Sequence, residues 1–197
     1  WADLYRFDSD LAIDFVNHPK NFRLYAEEAL RLSEIVDSID IALGQAHVRV
    51  LNLSKLTRIG EIKADHHGTL VSIPGTIRSA SSNVSHPTQA AFECQRCGTL
   101  TRIPQPISPG DLSVEKPHEC QGCERQGPFR LNHGQSEFVD VRQFRLESHL
   151  AAEQTESPDS IIVVAEDDIV ETVEPGDTVH VTGTVELVDF EDNRTQL

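Results

Sequence analysis

Ala91-Phe92-Glu93-Cys94-Gln95-Arg96-Cys97-Gly98 and, further along, Cys120-Gln121-Gly122-Cys123 hold every cysteine of this 197-residue chain. Each Cys-x2-Cys pair lets two thiolates approach one ion from a tight turn. Two such pairs complete the four-sulfur tetrahedron that Zn2+ prefers, with Zn–S about 2.3 Å. Gly98 and Gly122 are expected to lend those turns backbone freedom. From residue 94 to residue 131 the chain is rich in Pro, Gly and Ser and too poor in apolar residues to fold without a staple. A structural zinc ribbon is therefore expected, with Cys94, Cys97, Cys120 and Cys123 as ligands. Iron in a rubredoxin-like site satisfies the same geometry. Two disulfides are the other use of four thiols, disfavoured in a chain that shows no secretory leader. With all four positions held by protein, no place is left for a catalytic water. His118 and His133 flank the ribbon and read as surface residues.

Outward from the cysteines, the hydrophobic period divides the chain. From Leu4 to about Leu43 apolar residues recur mostly at three-to-four spacing, interrupted at Pro19, which predicts a small helical bundle. From His47 the pattern changes to strands and turns: Val48, Val50 and Leu51, then Leu70, Val71 and Ile73 before a turn at Pro74-Gly75. Beyond the ribbon, strands are expected at Phe138–Val141, Ile161–Val164, Thr178–Val181 and Thr184–Leu187. Glu147 to Ser160 reads as a polar surface loop. The fold class is α+β, with a helical domain over residues 1–55, a β-domain over 56–91 and 132–197, and the ribbon, 92–131, inserted in it.

Charge limits the choice of partner. The chain carries 32 Asp and Glu against 17 Lys and Arg, a formal net charge of −15. Only Lys20, Lys55, Lys63 and Lys116 are lysines, a balance that either adaptation to high salt or ordinary acidic solubility produces. Affinity for nucleic acid rests on clustered cations, so any such claim has to rest on local patches. No stretch approaches the roughly 18 apolar residues of a membrane helix, and the start lacks a signal peptide, so no membrane partner and a cytoplasmic, nucleoid-associated location are expected. The chain has no Met and begins with Trp1, as an excised segment of a longer protein or a tag-trimmed chain would.

Catalytic signatures are missing. No G-x4-G-K-[ST] phosphate loop occurs. Asp65-His66-His67 and Asp167-Asp168 read as solvated turns, because nothing in the sequence sets a nucleophile or pocket beside them.

Three stretches in this order resemble the N-terminal region of archaeal-type minichromosome maintenance (MCM) replicative DNA helicases. They are Leu56 to Arg78 (LTRIGEIKADHHGTLVSIPGTIR), the cysteine pairs with Ser136 to Asp140 beyond them, and Glu166 to Gly183 (EDDIVETVEPGDTVHVTG). Asp8 to Leu32 is similar to the family's helical domain. The resemblance implies an N-terminal helical bundle followed by an OB-fold β-barrel with an inserted zinc ribbon. It also implies a homo-hexamer or double hexamer that encircles single- or double-stranded DNA without sequence preference, in DNA replication initiation and duplex unwinding. In that family ATP and Mg2+ belong to a motor domain, expected here beyond Leu197, so this segment is expected to be non-catalytic while its parent is an ATP-dependent helicase. Arg78, on the OB face, and Arg194, near the tip of a hairpin cut short at Leu197, correspond to DNA-binding positions. Glu147, Ser148 and His149 open the stretch that corresponds to an allosteric loop facing the motor. A single-strand DNA-binding protein of replication-protein-A type, also an OB-fold with a zinc ribbon, is the alternative. It predicts aromatic residues on the strands for base stacking, of which the chain has few. A ribbon-bearing transcription or translation factor without a barrel leaves Pro175-Gly176-Asp177 unexplained.

Overall fold

Asp8 starts a helix by capping it: its Oδ1 accepts the N–H groups of Asp10 and Leu11, both at 3.0 Å, satisfying donors that a helix start leaves orphaned. In a computed structural model of the chain, which describes residues 1–32, 47–108, 111–148 and 159–187, this helix is α2 (Ser9–Asn17), between α1 (Ala2–Phe7) and α3 (Pro19–Leu32). The expected break at Pro19 is where α3 begins, a position at which the missing N–H would have no partner anyway. Ala12 and Phe15 bury one face of α2, and the Phe15 ring meets Phe22 of α3 edge-on, 4.6 Å between centroids. The remainder of the helical expectation, from residue 33 to Leu43, lies outside the described residues.

The strands are β1 (Leu70–Ala80), β2 (Val84–Cys94), β3 (Leu100–Pro104), β4 (Phe129–Leu131), β5 (Glu137–Glu147), β6 (Ser160–Glu166) and β7 (Thr178–Thr184). The chain divides into two compact units: residues 1–75, 148–159 and 178–197, and residues 76–147 with 160–177. In the first, β7 lies beside the opening half of β1, and the Thr182 hydroxyl donates to that of Ser72 at 3.2 Å. A parallel bridge joins His67 to Val185, through Gly68 N–H to the Val185 carbonyl at 2.9 Å and Val185 N–H to that of Thr69 at 3.1 Å.

In the second unit β5 organises the sheet. It pairs antiparallel with β2 from Glu137 to Val141, with β6 from Val141 to Glu147, and with the end of β1 from Phe144 to Glu147. Its buried Val141, Phe144 and Leu146 join Ile77, Ala90, Ala91 and Phe92 in the core. Arg142 ties this sheet to its loops. Its Nε donates to the Ser81 carbonyl at 3.1 Å and its fork grips both oxygens of Glu174, at 3.2 and 3.3 Å, while the guanidinium lies 5.2 Å from the Phe144 ring centre. Pro175-Gly176-Asp177 is held against β1 by Gly176 N–H to the Ile77 carbonyl, 2.8 Å, and Ile77 N–H to that of Asp177, 2.9 Å.

Three expectations are corrected. Val48, Val50 and Leu51 form no strand: their stretch is irregular chain, and the first strand begins only at Leu70. Pro74-Gly75 is not a turn but lies inside β1; the ladder with β5 begins only at Thr76, so the proline removes no bond from it. Thr184–Leu187 is not a separate strand: Thr184 ends β7, and Val185 makes the single bridge to His67. The loop read from Glu147 to Ser160 begins and ends as strand, since those two residues pair across β5 and β6; residues 149–158 lie outside the described residues.

Glu27 of α3 is buried, and its Oε1 accepts Val48 N–H at 3.2 Å, with His47 Nδ1 at 3.4 Å and Arg23 Nε at 3.8 Å. Glu27→Ala leaves the half-buried Val48 N–H without its acceptor and is expected to lower unfolding free energy by about 1 kcal/mol. Glu27→Gln, which keeps an acceptor, should lose less. Urea unfolding followed by circular dichroism measures the difference, and equal losses would show that charge rather than the Val48 bond matters.

Candidate functional site

The two cysteine turns have one backbone plan. In the first, Cys94 N–H donates to the Thr99 carbonyl at 3.0 Å and Gly98 N–H to the Cys94 carbonyl at 2.9 Å. In the second, Cys120 N–H donates to the Arg125 carbonyl and Glu124 N–H to the Cys120 carbonyl, both at 2.9 Å. Gly98 has φ +74, as its expected role requires, and the matching position in the second turn is Glu124, at φ 54. Gly122 is therefore not the residue that supplies left-handed backbone. Its reason is space: a Cβ there would run into the Thr99 side chain.

β2 delivers Cys94 as its last residue, opposite Phe129 of β4. Arg96 Nε donates to the Gly127 carbonyl at 2.8 Å, and Gln95 N–H to that of Pro128 at 2.9 Å, holding the two turns together. Where an apolar core is thin, a buried amide stands in: Gln105 exchanges two hydrogen bonds with the Glu115 backbone, at 2.7 and 3.0 Å.

The four Sγ atoms lie within 4.8 Å of one another. Cys94 and Cys123 are 3.8 Å apart and Cys97 and Cys120 3.5 Å, far beyond a disulfide's S–S bond of about 2.05 Å, and all four thiols are free. Four sulfurs held about 2.3 Å from a central ion have tetrahedral edges of about 3.8 Å, so the set fits a tetrahedral metal. Cys94 and Cys120 are buried, Cys123 partly so and Cys97 exposed. The hydrogen bond from Thr99 draws the Cys97 thiol down to about 6, while partial burial pushes that of Cys123 up to about 12. The backbone N–H groups of Arg96 and Cys97 lower Cys94. Neither His118 nor His133 joins the cluster among the described residues.

The other predicted positions scatter. Arg78 sits at an irregularity of β1, where the register with β5 shifts between Ile77 and Ser79, a geometry that re-aims a side chain. Its guanidinium is largely exposed and 3.9 Å from the Glu147 carboxylate, so two positions expected in separate roles are brought together. Ser148 N–H donates to the Asp159 carbonyl at 3.1 Å. His149 and Arg194 lie outside the described residues. Asp65–His66 and Asp167–Asp168 fall on one-turn 3-10 segments. Sequence reasoning missed Arg142, whose partners lie in distant segments, and Gln105, whose partner is the backbone of Glu115 across a loop.

Because Thr99 fills the space beside Gly122, Gly122→Ala should destabilise the ribbon by about 1–3 kcal/mol. Adding Thr99→Ala should recover part of the loss. Hydrogen exchange of residues 94–131 reads both effects, and an unperturbed Gly122→Ala would show the turn to be looser than its packing implies.

A family model for the MCM OB domain matches residues 58–189. The chain is 30% identical over 198 residues to DNA replication licensing factor mcm-6 of Caenorhabditis briggsae, covering 94% of this chain and 23% of the relative. It is 27% identical to DNA replication licensing factor MCM4 of Drosophila melanogaster (92% and 21%), and 27% identical to the human DNA helicase MCM8 (74% and 18%). It thus spans about a fifth of the length of these relatives. The 1.8 Å crystal structure of the N-terminal domain of an archaeal MCM superposes with a TM-score of 0.67 at 24% identity, over 100% of this chain and 78% of that one. The fold is accordingly an OB-fold β-sheet preceded by a few helices, with the cysteine cluster at the end of β2. With the family match spanning well over half of its residues, this chain belongs to the MCM OB-domain family.

Proposed function

We propose that the chain is the DNA-binding, ring-forming N-terminal part of an archaeal-type MCM replicative helicase, a cytoplasmic, nucleoid-associated protein acting in replication initiation and duplex unwinding. Its own residues contribute binding and assembly; ATP and Mg2+ belong to a motor domain outside this sequence. The observation that carries this reading is the family match over residues 58–189, a range that takes in the strands and the cysteine cluster. Residues 1–55 form the helical domain, 56–91 with 132–197 the OB-fold, and 92–131 the ribbon.

Zinc at Cys94, Cys97, Cys120 and Cys123 closes the ribbon, supported by the sulfur separations. Removing one thiolate leaves too few donors for a tetrahedral site. Cys120→Ser is expected to contain no zinc by elemental analysis and to lose hydrogen-exchange protection in residues 94–131; native protein purified metal-free yet equally protected would overturn the assignment.

Charge distribution supports DNA as partner. Residues 66–136 contain Arg78, Arg96, Arg102, Lys116, Arg125 and Arg130 against five carboxylates, so the whole of the −15 resides elsewhere in the chain. In a hexamer or double hexamer, Arg78 and Arg194 repeat around the channel and contact phosphates without reading sequence. Glu147 and Ser148, with His149, start the loop that addresses the motor. Because the Glu147 carboxylate competes for Arg78, Glu147→Gln should tighten DNA binding a few-fold, whereas Arg78→Ala should weaken it and flatten the salt dependence. Fluorescence anisotropy with single- and double-stranded oligonucleotides over a salt series, beside light scattering for ring size, tests both. Rings that bind no DNA at low salt would reduce the role to assembly.

A further inference from the structure

Between the ribbon and β5 the chain makes a one-turn 3-10 segment, His133–Gln135, that is firmly anchored. Asn132 N–H donates to the carbonyl of the buried Ala91 at 2.8 Å, and Ala91 N–H donates to the Ser136 hydroxyl at 2.9 Å. That hydroxyl in turn donates to the Asn132 carbonyl at 2.7 Å. The turn therefore has both ends fixed to β2. On it, the exposed His133 ring stacks on Phe138 of β5, 5.7 Å between centroids and 11° from parallel. Phe138 is 41% exposed, whereas Phe144, the other phenylalanine of β5, is buried. The same turn holds a cation: Arg102 Nη2 donates to Gln135 Oε1 at 3.1 Å, and among the described residues no carboxylate pairs with Arg102. The carboxylate on the Phe138 face of β5, Asp140, accepts the Ser85 hydroxyl at 2.6 Å.

We propose that this turn and the start of β5 form a stacking subsite for an unpaired base of a single DNA strand, with the His133–Phe138 pair as platform and Arg102 meeting the adjoining phosphate. The inference rests on the DNA-binding reading above and adds to it a ligand that phosphate contacts alone do not select. A paired base hides its faces in the helix stack, so only an unpaired one can extend a two-ring stack. Exposed aromatic rings beside cations bind single strands in this sequence-tolerant way. The anchoring through Ala91 matters because a platform already ordered before binding loses less entropy when a base arrives. His133 and Phe138 stand five apart, across a turn and into a strand. That spacing belongs to no helical or strand period, so the pair is invisible until the turn is folded.

The test uses the whole chain, with anisotropy on oligothymidylate, on an abasic strand of the same length, and on duplex. The native protein is expected to bind oligothymidylate roughly tenfold more tightly than the abasic strand, a typical effect of one stacked base. Phe138→Leu should erase that preference while leaving abasic and duplex binding unchanged. His133→Ala should reduce the preference in the same direction and carries the test should the leucine variant fold poorly. Arg102→Ala should weaken both single strands and lower the salt slope by about one. Equal affinity of the native protein for the two single strands, or a preference that survives both ring variants, would overturn the platform while leaving phosphate binding intact. No binding to any of the three would instead overturn the DNA reading itself.

Discussion

β2 changes partners at Gln89, and the rest of the second unit is arranged around that exchange. Up to Gln89 one edge of the strand is taken by β5; from Gln89 to Glu93 the other edge takes β3, and from Phe92 to Cys94 the first edge takes β4. A strand interior cannot leave its N–H and C=O groups bare. At Ala91, where β5 has left and β4 has not yet begun, Asn132 and Ser136 supply the missing bonds. One eleven-residue strand thereby joins the OB sheet to the cysteine turns and fixes the turn at 133–135. Ala90, Ala91 and Phe92, where that exchange takes place, are buried.

The ribbon at the end of that strand has little apolar mass to hold it. Its order comes from repeated backbone bonds in the two cysteine turns, the Gln105–Glu115 amide exchange and the sulfur cluster. A dication that draws four thiols into one tetrahedron would equalise environments that differ widely without it, from the Thr99-bonded Cys97 to the half-buried Cys123. Coordination energy then serves where hydrophobic burial cannot.

Charge is handled by separation. Carboxylates concentrate outside residues 66–136, and within the sheet Arg142 has its fork on both oxygens of Glu174 and also donates to the Ser81 and Val170 carbonyls. Arg78 differs: its partner Glu147 is at 3.9 Å and its side chain stands largely in solvent. An exposed pair of this kind contributes little to stability and leaves the arginine available to an anion.

Read without a structure, the residues already determined the helical start ahead of a strand-rich remainder, the clustering of the four cysteines and the strands at Phe138, Ile161 and Thr178, because hydrophobic period and ligand spacing are local properties. Local reading placed a turn at Pro74-Gly75, since Pro and Gly favour one; only the sheet shows that β5 joins β1 beyond them, so the strand runs through. The same reading gave Gly122 the conformational role that Glu124 performs, because a close approach to Thr99 cannot be seen from one segment. Arg78 beside Glu147, Arg142 on Glu174 and His133 against Phe138 are likewise matters of tertiary structure alone. Each depends on which edges of which strands meet, and that is settled by burying the whole core at once rather than by any residue's own preference.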